Sequence, residues 1–364
     1  MKITTTLSTY LAGLYLRNFV CLLLILLGII YLFDTVELIR RGSKVDDLSL
    51  GLILSMGLLK LPEVGQILFP FAVLFGAMFT FWQLNRRYEL IVVRAAGFSV
   101  WQLLAPVVAV AIVIGAFQIM VINPVGALLL GKFEQMERVH LEHKASQIAV
   151  FEEGLWLRQS TDSGYVILNA RNIRQADWRL RDVHVLYFDE ADTFLQRVDA
   201  KSAMLKPGQW VFEDTYLTQA QGESLPFPEV VLKTDLTIAD IEDSYASPET
   251  QSFWRLPGYI KTLEATGFEV GALKVHYQNL LAQPLLFAAM VLLAAVVSMR
   301  PPRSGGALLL ISIGVFTGFV VFFLSSFLQA LGASHQIPVV LAAWSPALIC
   351  FMLGVSIIIN LEDG

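Results

Sequence analysis

An apolar run at residues 11–33, LAGLYLRNFVCLLLILLGIIYLF, decides the fold class of this chain. It contains one charged residue, Arg17, and as a helix it is long enough to cross the roughly 30 Å hydrocarbon core of a bilayer. The run ends at Phe33-Asp34 without a small-residue cleavage site, so we expect a retained membrane span rather than a removed signal peptide. Further runs of sufficient length cover residues 61–82, 101–122, 280–297, 307–331 and 338–359. The sequence therefore predicts six spans.

The composition supports a membrane protein. The chain has 364 residues, 55% hydrophobic and 16% charged, with a mean hydropathy of +0.62, which excludes an ordinary soluble domain. Three spans in residues 1–122 and three in residues 277–364 enclose a polar middle region at 123–276. Both cysteines, Cys21 and Cys350, fall inside spans, so the middle region must fold on an apolar core without disulfides.

Parity and charge predict the orientation. Three spans precede the middle region, which therefore lies on the opposite side of the membrane from the N-terminus. The side of the membrane that holds the N-terminus carries seven basic residues, and the one short loop on the opposite side carries three. The seven are Lys2, Arg17, Arg86, Arg87, Arg94, Arg300 and Arg303, and the three are Arg40, Arg41 and Lys44. We therefore expect both termini in the cytoplasm and the middle region on the opposite side of the membrane.

The middle region alternates apolar and polar residues with the period of a β-strand. The apolar positions are Val166, Leu168 and Ala170, then Val183, Val185 and Tyr187, then Trp210 and Phe212. Turn-forming residues lie at 162–164, 189–192 and 206–208. This pattern predicts an antiparallel sandwich or jelly roll. The flanking stretches 128–149 and 257–273 are predicted to be helical connectors.

The second span has an unusual start. Residues 48–84 are too long for one straight span, and Pro62 and Pro70 interrupt them. We expect a short amphipathic helix at the outer interface that leads into the membrane helix. Glu63 is interpreted as interfacial because Lys60 lies one helical turn away; the alternative is a buried functional carboxylate.

A short charged segment, NRRYELIVVRAAG at residues 85–97, lies between the second and third spans. Tyr88, Ile91, Val92 and Ala95 share one helical face, and Arg87 and Arg94 lie on another. Gly97 is a helix stop, and Ser99 and Gln102 then form a capping box for the next helix. A separate short helix of this kind suits force transfer. The alternative is an ordinary cytoplasmic loop that follows the positive-inside rule.

The sequence argues against several kinds of active site. Residues 126–132 nearly spell a P-loop, but Phe133 replaces the required Ser or Thr and the segment follows a membrane span. His140 and His143 are one helical turn apart but have no third metal ligand nearby, so a solvated helix face is the preferred interpretation. The spans are nearly free of ionisable groups, which argues against an ion-driven carrier. An apolar interior suits an amphiphile, because each CH₂ moved into water costs about 0.8 kcal/mol.

Short motifs in a specific order resemble the LptF/LptG family, the permease subunits of the lipopolysaccharide exporter. They are Glu89–Val92 with Arg94–Gly97, Gly154–Leu157 with Tyr165–Ile167, Gln283–Leu285, Pro301–Arg303, Gly318-Phe319 and Ile337-Pro338. The tryptophan at position 156 favours the LptG type over LptF. The resemblance covers nearly the whole chain and implies a membrane α-helical bundle of six transmembrane helices with an inserted all-β periplasmic jelly-roll domain. It also implies a place in the bacterial inner membrane.

The resemblance implies a transport subunit that is not itself an enzyme. It would pair with an LptF-like permease and an LptB-like cytoplasmic ATPase dimer, and ATP and Mg²⁺ would be used only by that ATPase. Lipopolysaccharide would enter laterally between the first and fifth spans of opposing subunits, then pass to the jelly roll and to LptC-like and LptA-like proteins. No cofactor of this chain and no nucleic-acid partner are expected.

The resemblance also implies roles for individual residues. The positions expected to couple to the ATPase are Arg87, Tyr88, Glu89, Leu90, Arg94, Ala95 and Gly97. The positions expected near the lipid are Arg40, Arg41, Lys132, Tyr31 and Phe319. This chain departs from the family pattern at two positions that the resemblance associates with phosphate recognition. Tyr31 stands where family members often carry a lysine, and Gln135 stands where a second arginine follows the Lys132 position.

Two other functions fit the same sequence. One is a membrane-anchored β-sandwich that scaffolds envelope proteins, and the other is an exporter subunit for a different envelope lipid or lipoprotein. Co-purification with an ATPase separates the first from an exporter, and the identity of the bound lipid separates the second.

Overall fold

A computed structural model describes most of the chain. The described residues are 5–43, 49–137, 147–151, 154–161, 164–174, 179–189, 192–219, 224–234, 248–265, 267–298 and 307–362. They form two compact units. A helical unit comprises Met1–Leu141, Glu249–Trp254 and Lys274–Gly364, and a sheet unit comprises Glu142–Pro248 and Arg255–Leu273.

The helical unit contains six helices that are long and apolar enough to cross a membrane, which confirms the six predicted spans. Its first half consists of α1 Thr5–Gly42, α2 Leu50–Arg86, α3 Glu89–Ala95, α4 Val100–Phe117, a π-helical turn Gln118–Ile122 and α5 Asn123–Glu137. The helix α6, Leu256–Ala265, belongs to the sheet unit. The remaining long helices are α7 Gly271–Ser298, α8 Ala307–Ala333 and α9 Val339–Glu362.

The helix α2 is continuous, so the predicted break into an interfacial helix and a span is wrong. Pro62 and Pro70 both lie inside its 37 residues. Each proline removes one backbone donor, but membrane helices tolerate this because neighbouring helices and local adjustments satisfy the freed carbonyl groups. The side chain of Ser49 caps the start by accepting a hydrogen bond from the backbone N–H of Leu52 at 3.3 Å.

The third span continues well beyond its predicted end at residue 122. The helix α4, the π-helical turn and α5 form one unbroken helical segment from Val100 to Glu137. Residues 126–132 are therefore helical, and a helix cannot form the phosphate-binding loop that their sequence suggests. The prediction of a helical connector over 128–149 is wrong at its end, because Gln147–Phe151 is a strand.

A close approach of two backbones defines the middle of the bundle. Gly115 on α4 faces Pro284 on α7, and a Cβ atom added to Gly115 would lie 2.7 Å from the Cα atom of that proline. Only glycine allows this spacing. Near α1, the side-chain amide of Asn18 donates to Thr80 Oγ1 at 2.9 Å, which is a buried polar link between α1 and α2.

The sheet unit is an antiparallel sheet of seven strands in sequential order, β1 to β7. The strands are Gln147–Phe151, Gly154–Thr161, Gly164–Arg174, Arg179–Phe188, Phe194–Lys206, Gln209–Gln219 and Ser224–Lys233. The predicted apolar face is confirmed at seven positions, because Val166, Leu168, Ala170, Val183, Val185, Trp210 and Phe212 are all fully buried. Tyr187, predicted on the same face, is only partly buried. The turn predicted at 206–208 joins β5 to β6, with Gly208 at φ +80°. Part of the turn predicted at 162–164 lies outside the described residues.

The sheet curls so that distant strands meet. The Gln159 side chain on β2 donates a hydrogen bond to the backbone carbonyl of Lys233, the last residue of β7, at 2.6 Å. Since β2 and β7 lie far apart in the strand order, this contact requires a strongly bent sheet. The bend encloses the apolar face and explains how Trp210 and Phe212 are buried. The jelly-roll topology stays a prediction.

Candidate coupling and lipid-facing sites

The short helix between the second and third spans is confirmed, although α3 is shorter than the predicted segment 85–97. Tyr88 adopts a left-handed conformation at its N-cap, with φ 60°, and turns the chain sharply after α2. Gly97, at φ +86°, ends the turn that follows α3. Ser99 and Gln102 form the predicted capping box at the start of α4. The segment is a separate element between two rigid helices.

One face of α3 is left uncovered. Tyr88, Ile91 and Val92 are 69%, 55% and 66% exposed, and Ala95 is exposed beside them. These four residues are the predicted apolar stripe; we call them the α3 stripe. Leu90, which is 6% exposed, instead packs into the core of the bundle and anchors the helix. An exposed apolar stripe of this kind is suited to contact with another protein.

Glu89 connects α3 to the first membrane helix. Its Oε2 atom accepts a hydrogen bond from the Tyr10 hydroxyl at 2.9 Å, and its Oε1 atom lies 3.9 Å from Arg87 Nη1. Tyr10 is a functional candidate that the sequence reasoning missed. No local pattern identifies it, because the two residues are 79 positions apart in the chain.

The start of α1 and the end of α9 lie at the same end of the bundle as α3. Tyr10 lies in the second turn of α1, and Glu362 lies at the end of α9. The Glu362 carboxylate accepts a hydrogen bond from the backbone N–H of Val100 at 3.3 Å, which satisfies a donor in the first turn of α4. The start of α1, α3, the start of α4 and the end of α9 thus meet at one end.

Arg40 and Arg41 lie at the other end of α1 and are paired with carboxylates. The Glu37 carboxylate contacts Arg40 Nη2 at 2.6 Å and Arg41 Nε at 3.2 Å. Arg41 Nη1 also contacts Glu137 at the end of α5 at 2.8 Å. Glu37 is one of the acidic residues close to this pair in the sequence, whereas Glu137, 96 positions from Arg41, is a partner that the sequence reasoning missed. Arg41 therefore links α1 to α5, and both arginines are only partly available to a ligand.

The other three expected lipid-facing residues have different environments. Lys132 on α5 is exposed and has no ion pair within the described part of the chain. The Tyr31 hydroxyl donates to the Leu54 carbonyl at 3.2 Å, so Tyr31 packs α1 on α2. Phe319 on α8 is 57% exposed, with its ring centroid 5.3 Å from that of Phe323. The described contacts do not join Phe319 to the basic residues.

The interpretation of Glu63 as interfacial rested on an ion pair with Lys60, and the structure does not contain this ion pair. Lys60 Nζ instead contacts Asp34 Oδ1 on α1 at 3.0 Å. Glu63 lines a cavity of the bundle together with His276 of α7. The long helices therefore carry more ionisable groups than the sequence reasoning recognised. His140 and His143 lie outside the described residues, among which no cluster of three potential metal ligands occurs.

Comparison with known proteins decides the family. The model of the family described as "Lipopolysaccharide export system permease LptF/LptG" matches residues 9–360. This chain belongs to that LptF/LptG family. Since the match covers the helices on both sides and the sheet between them, the inserted middle region is part of the family architecture.

Relatives of both LptF/LptG types match nearly the whole chain. The Escherichia coli K12 protein named lipopolysaccharide export system permease protein LptG is 26% identical over 343 residues, 91% of each chain. Its Haemophilus influenzae counterpart is 23% identical over 359 residues, 96% of each chain. The Escherichia coli K12 protein named LptF is 24% identical over 372 residues, 97% of this chain and 94% of the relative.

Proposed function

We propose that this chain is a permease subunit of an ATP-driven exporter that extracts lipopolysaccharide from the inner membrane and passes it to a periplasmic bridge. The observation that carries this proposal is the family match over residues 9–360, which includes both compact units. The relatives are named as permease proteins of lipopolysaccharide export. The chain itself would transport without an ATPase site or a cofactor of its own.

The α3 stripe would dock on the cytoplasmic ATPase dimer. Tyr88, Ile91 and Val92 supply the apolar contact, and Glu89 ties the docked helix to Tyr10 of α1. When the ATPase closes on ATP and Mg²⁺, it moves α3, and this hydrogen bond passes the movement to α1. With its 38 residues, α1 is about 57 Å long and carries the movement to the opposite end.

The lipid would enter the bundle beside α1 and α8. Leu24, Leu32 and Phe33 on α1 and Phe316 and Phe319 on α8 are exposed. Opposed to the same helices of an LptF-like partner, these faces would line an apolar path for acyl chains. Such a path avoids a cost of about 0.8 kcal/mol for each CH₂ that would otherwise meet water.

The basic residues near the ends of α1 and α5 would orient the phosphorylated head group. Arg40, Arg41 and Lys132 supply the positive charge, and the carboxylates of Glu37 and Glu137 reduce it. Exposed ion pairs contribute roughly 0 to 1 kcal/mol each, so the acyl chains would provide most of the affinity. The cations then act on position more than on binding strength.

The sheet unit would receive the lipid as a periplasmic jelly roll and hand it to LptC-like and LptA-like proteins. The bend that joins Gln159 to Lys233 supports a closed arrangement of the strands. The orientation follows from the positive-inside rule, with both termini cytoplasmic and the sheet unit periplasmic.

Reconstitution in vesicles tests this function. The chain is combined with an LptF-type permease, the ATPase, lipopolysaccharide and a purified periplasmic acceptor. We expect ATP-dependent transfer of lipid to the acceptor, its loss in Ile91→Glu, and normal transfer in the matched control Ile91→Val. Equal transfer when the chain is omitted would refute the proposal.

A further inference from the structure

A cavity of about 220 Å³ lies within the helical unit, and nothing in the export mechanism uses it. Its walls come mainly from α2, α7 and α8. One side is polar and contains Glu63, His276 and Gln283, with Glu249 nearer the surface. The other side is apolar and includes Phe71 and Met290.

Three polar groups on the polar side have no partner in the part of the chain that the structure describes. His276 Nε2 and Gln283 Oε1 are buried without a hydrogen bond. Glu63 has no ion pair or hydrogen bond within the same described residues. Buried polar atoms are normally satisfied, so these groups point to an occupant.

Two other polar side chains in the same wall, those of Gln66 and Asn123, are hydrogen-bonded. The Asn123 side-chain amide donates to Gln66 Oε1 at 3.0 Å. Its oxygen accepts a hydrogen bond from the Phe253 backbone N–H at 2.8 Å. These bonds join α2, α5 and the segment around Phe253 beside the unpaired groups.

The charge of the lining selects the occupant. Glu63 and Glu249 are acidic, and the described lining residues include no lysine or arginine. Lys60, the nearby base on α2, is engaged by Asp34 at 3.0 Å. A phosphate or carboxylate would find no lysine or arginine among these residues and would be repelled by the two carboxylates. A metal site is also not indicated, because no group of three His, Cys, Asp or Glu residues converges among the residues that the structure describes.

We propose that this cavity binds a primary ammonium group. Such a group has three N–H donors, which match the Glu63 carboxylate, Gln283 Oε1 and the Nε2 atom of a neutral His276 that carries its proton on Nδ1. The apolar side covers the methylene groups attached to the nitrogen. The ammonium could be the ethanolamine head group of a membrane lipid or a free alkylamine, and the proposal does not depend on lipopolysaccharide export.

Lipid binding to the purified full-length chain tests the proposal. Native mass spectrometry counts bound phosphatidylethanolamine, phosphatidylcholine and phosphatidylglycerol offered at equal concentrations. We expect the ethanolamine lipid to be retained on the order of tenfold more than the choline lipid, whose methylated nitrogen has no N–H donor. Added n-butylamine distinguishes a lipid head group from a free amine. If n-butylamine displaces the ethanolamine lipid, both bind in the cavity. If it binds without displacing that lipid, the natural ligand of the cavity is a free amine. Equal retention of the three lipids together with no binding of n-butylamine refutes the proposal.

Variants of the lining residues test whether the ammonium group binds in this cavity. Glu63→Gln and Gln283→Leu should each abolish the preference for the bound amine, whereas Glu362→Gln, which changes the same charge at the other end of the bundle, should leave it unchanged. Preference that persists in both cavity variants contradicts the assignment. The comparison of lipids in the unmodified chain remains decisive even where a variant does not fold.

Discussion

The hydrogen bond between Tyr10 and Glu89 should be needed for coupling more than for folding. Tyr10→Phe removes only the hydroxyl that lies 2.9 Å from the Glu89 carboxylate. A hydrogen bond to a charged group contributes roughly 1.5–3 kcal/mol, and the partial exposure of both side chains reduces this to about 1 kcal/mol. One kcal/mol corresponds to about a fivefold change in an equilibrium constant. We therefore expect about fivefold less lipid transferred per ATP hydrolysed, with a nearly unchanged unfolding temperature.

The assay measures ATP hydrolysis and lipid transfer in the same vesicles. Glu89→Gln should also lower the amount of lipid transferred per ATP hydrolysed. Glu89→Lys should abolish transfer because it places a cation beside Arg87. The double variant Tyr10→Phe/Glu89→Gln should be no worse than the more severe single variant, since both remove one interaction. Tyr216→Phe, at an exposed tyrosine of the sheet unit, is the control. An unchanged ratio in Tyr10→Phe and in Glu89→Gln would refute the idea that force passes through this bond.

Three further predictions concern topology, packing and the lipid. Impermeant thiol reagents should label Asp189→Cys from the periplasm and should not label Arg87→Cys in intact spheroplasts; the opposite result inverts the orientation. Gly115→Ala should destabilise the bundle by about 1–3 kcal/mol in thermal unfolding, because its Cβ atom would lie 2.7 Å from the facing proline. The control Gly131→Ala should be neutral or stabilising, because a Cβ atom there would have no neighbour within 4 Å among the described residues. Lys132→Ala should change the pattern of lipid photocrosslinks more than their total amount, and an unchanged pattern would remove this residue from the head-group site.

The sequence predicts the six spans and the strands of the sheet because both depend on local patterns. The length of an apolar run identifies a span, and the alternation around Val166 and Val183 identifies strands with one buried face. The capping box at Ser99 was also predictable, since all its parts lie within four residues.

The errors arose where neighbouring helices override local signals. Pro62 and Pro70 indicate a break in water, but the surrounding bundle keeps α2 continuous. The partners of the candidate residues are equally hidden. Tyr10 meets Glu89 across 79 positions and Glu137 meets Arg41 across 96, so no sequence pattern shows either contact.

The π-helical turn at Gln118–Ile122 sets the direction in which every later side chain of the third span points. A π-helical turn contains one more residue than an α-helical turn, so it offsets the following helix by about 100°. Deletion of one residue from this turn would restore regular α-helix and rotate α5 by that angle. Asn123 would then turn away from Gln66, and Lys132 would face a different neighbour, although no contacting side chain had been replaced. The position of a basic residue at one end of this span thus depends on a backbone irregularity more than two turns away.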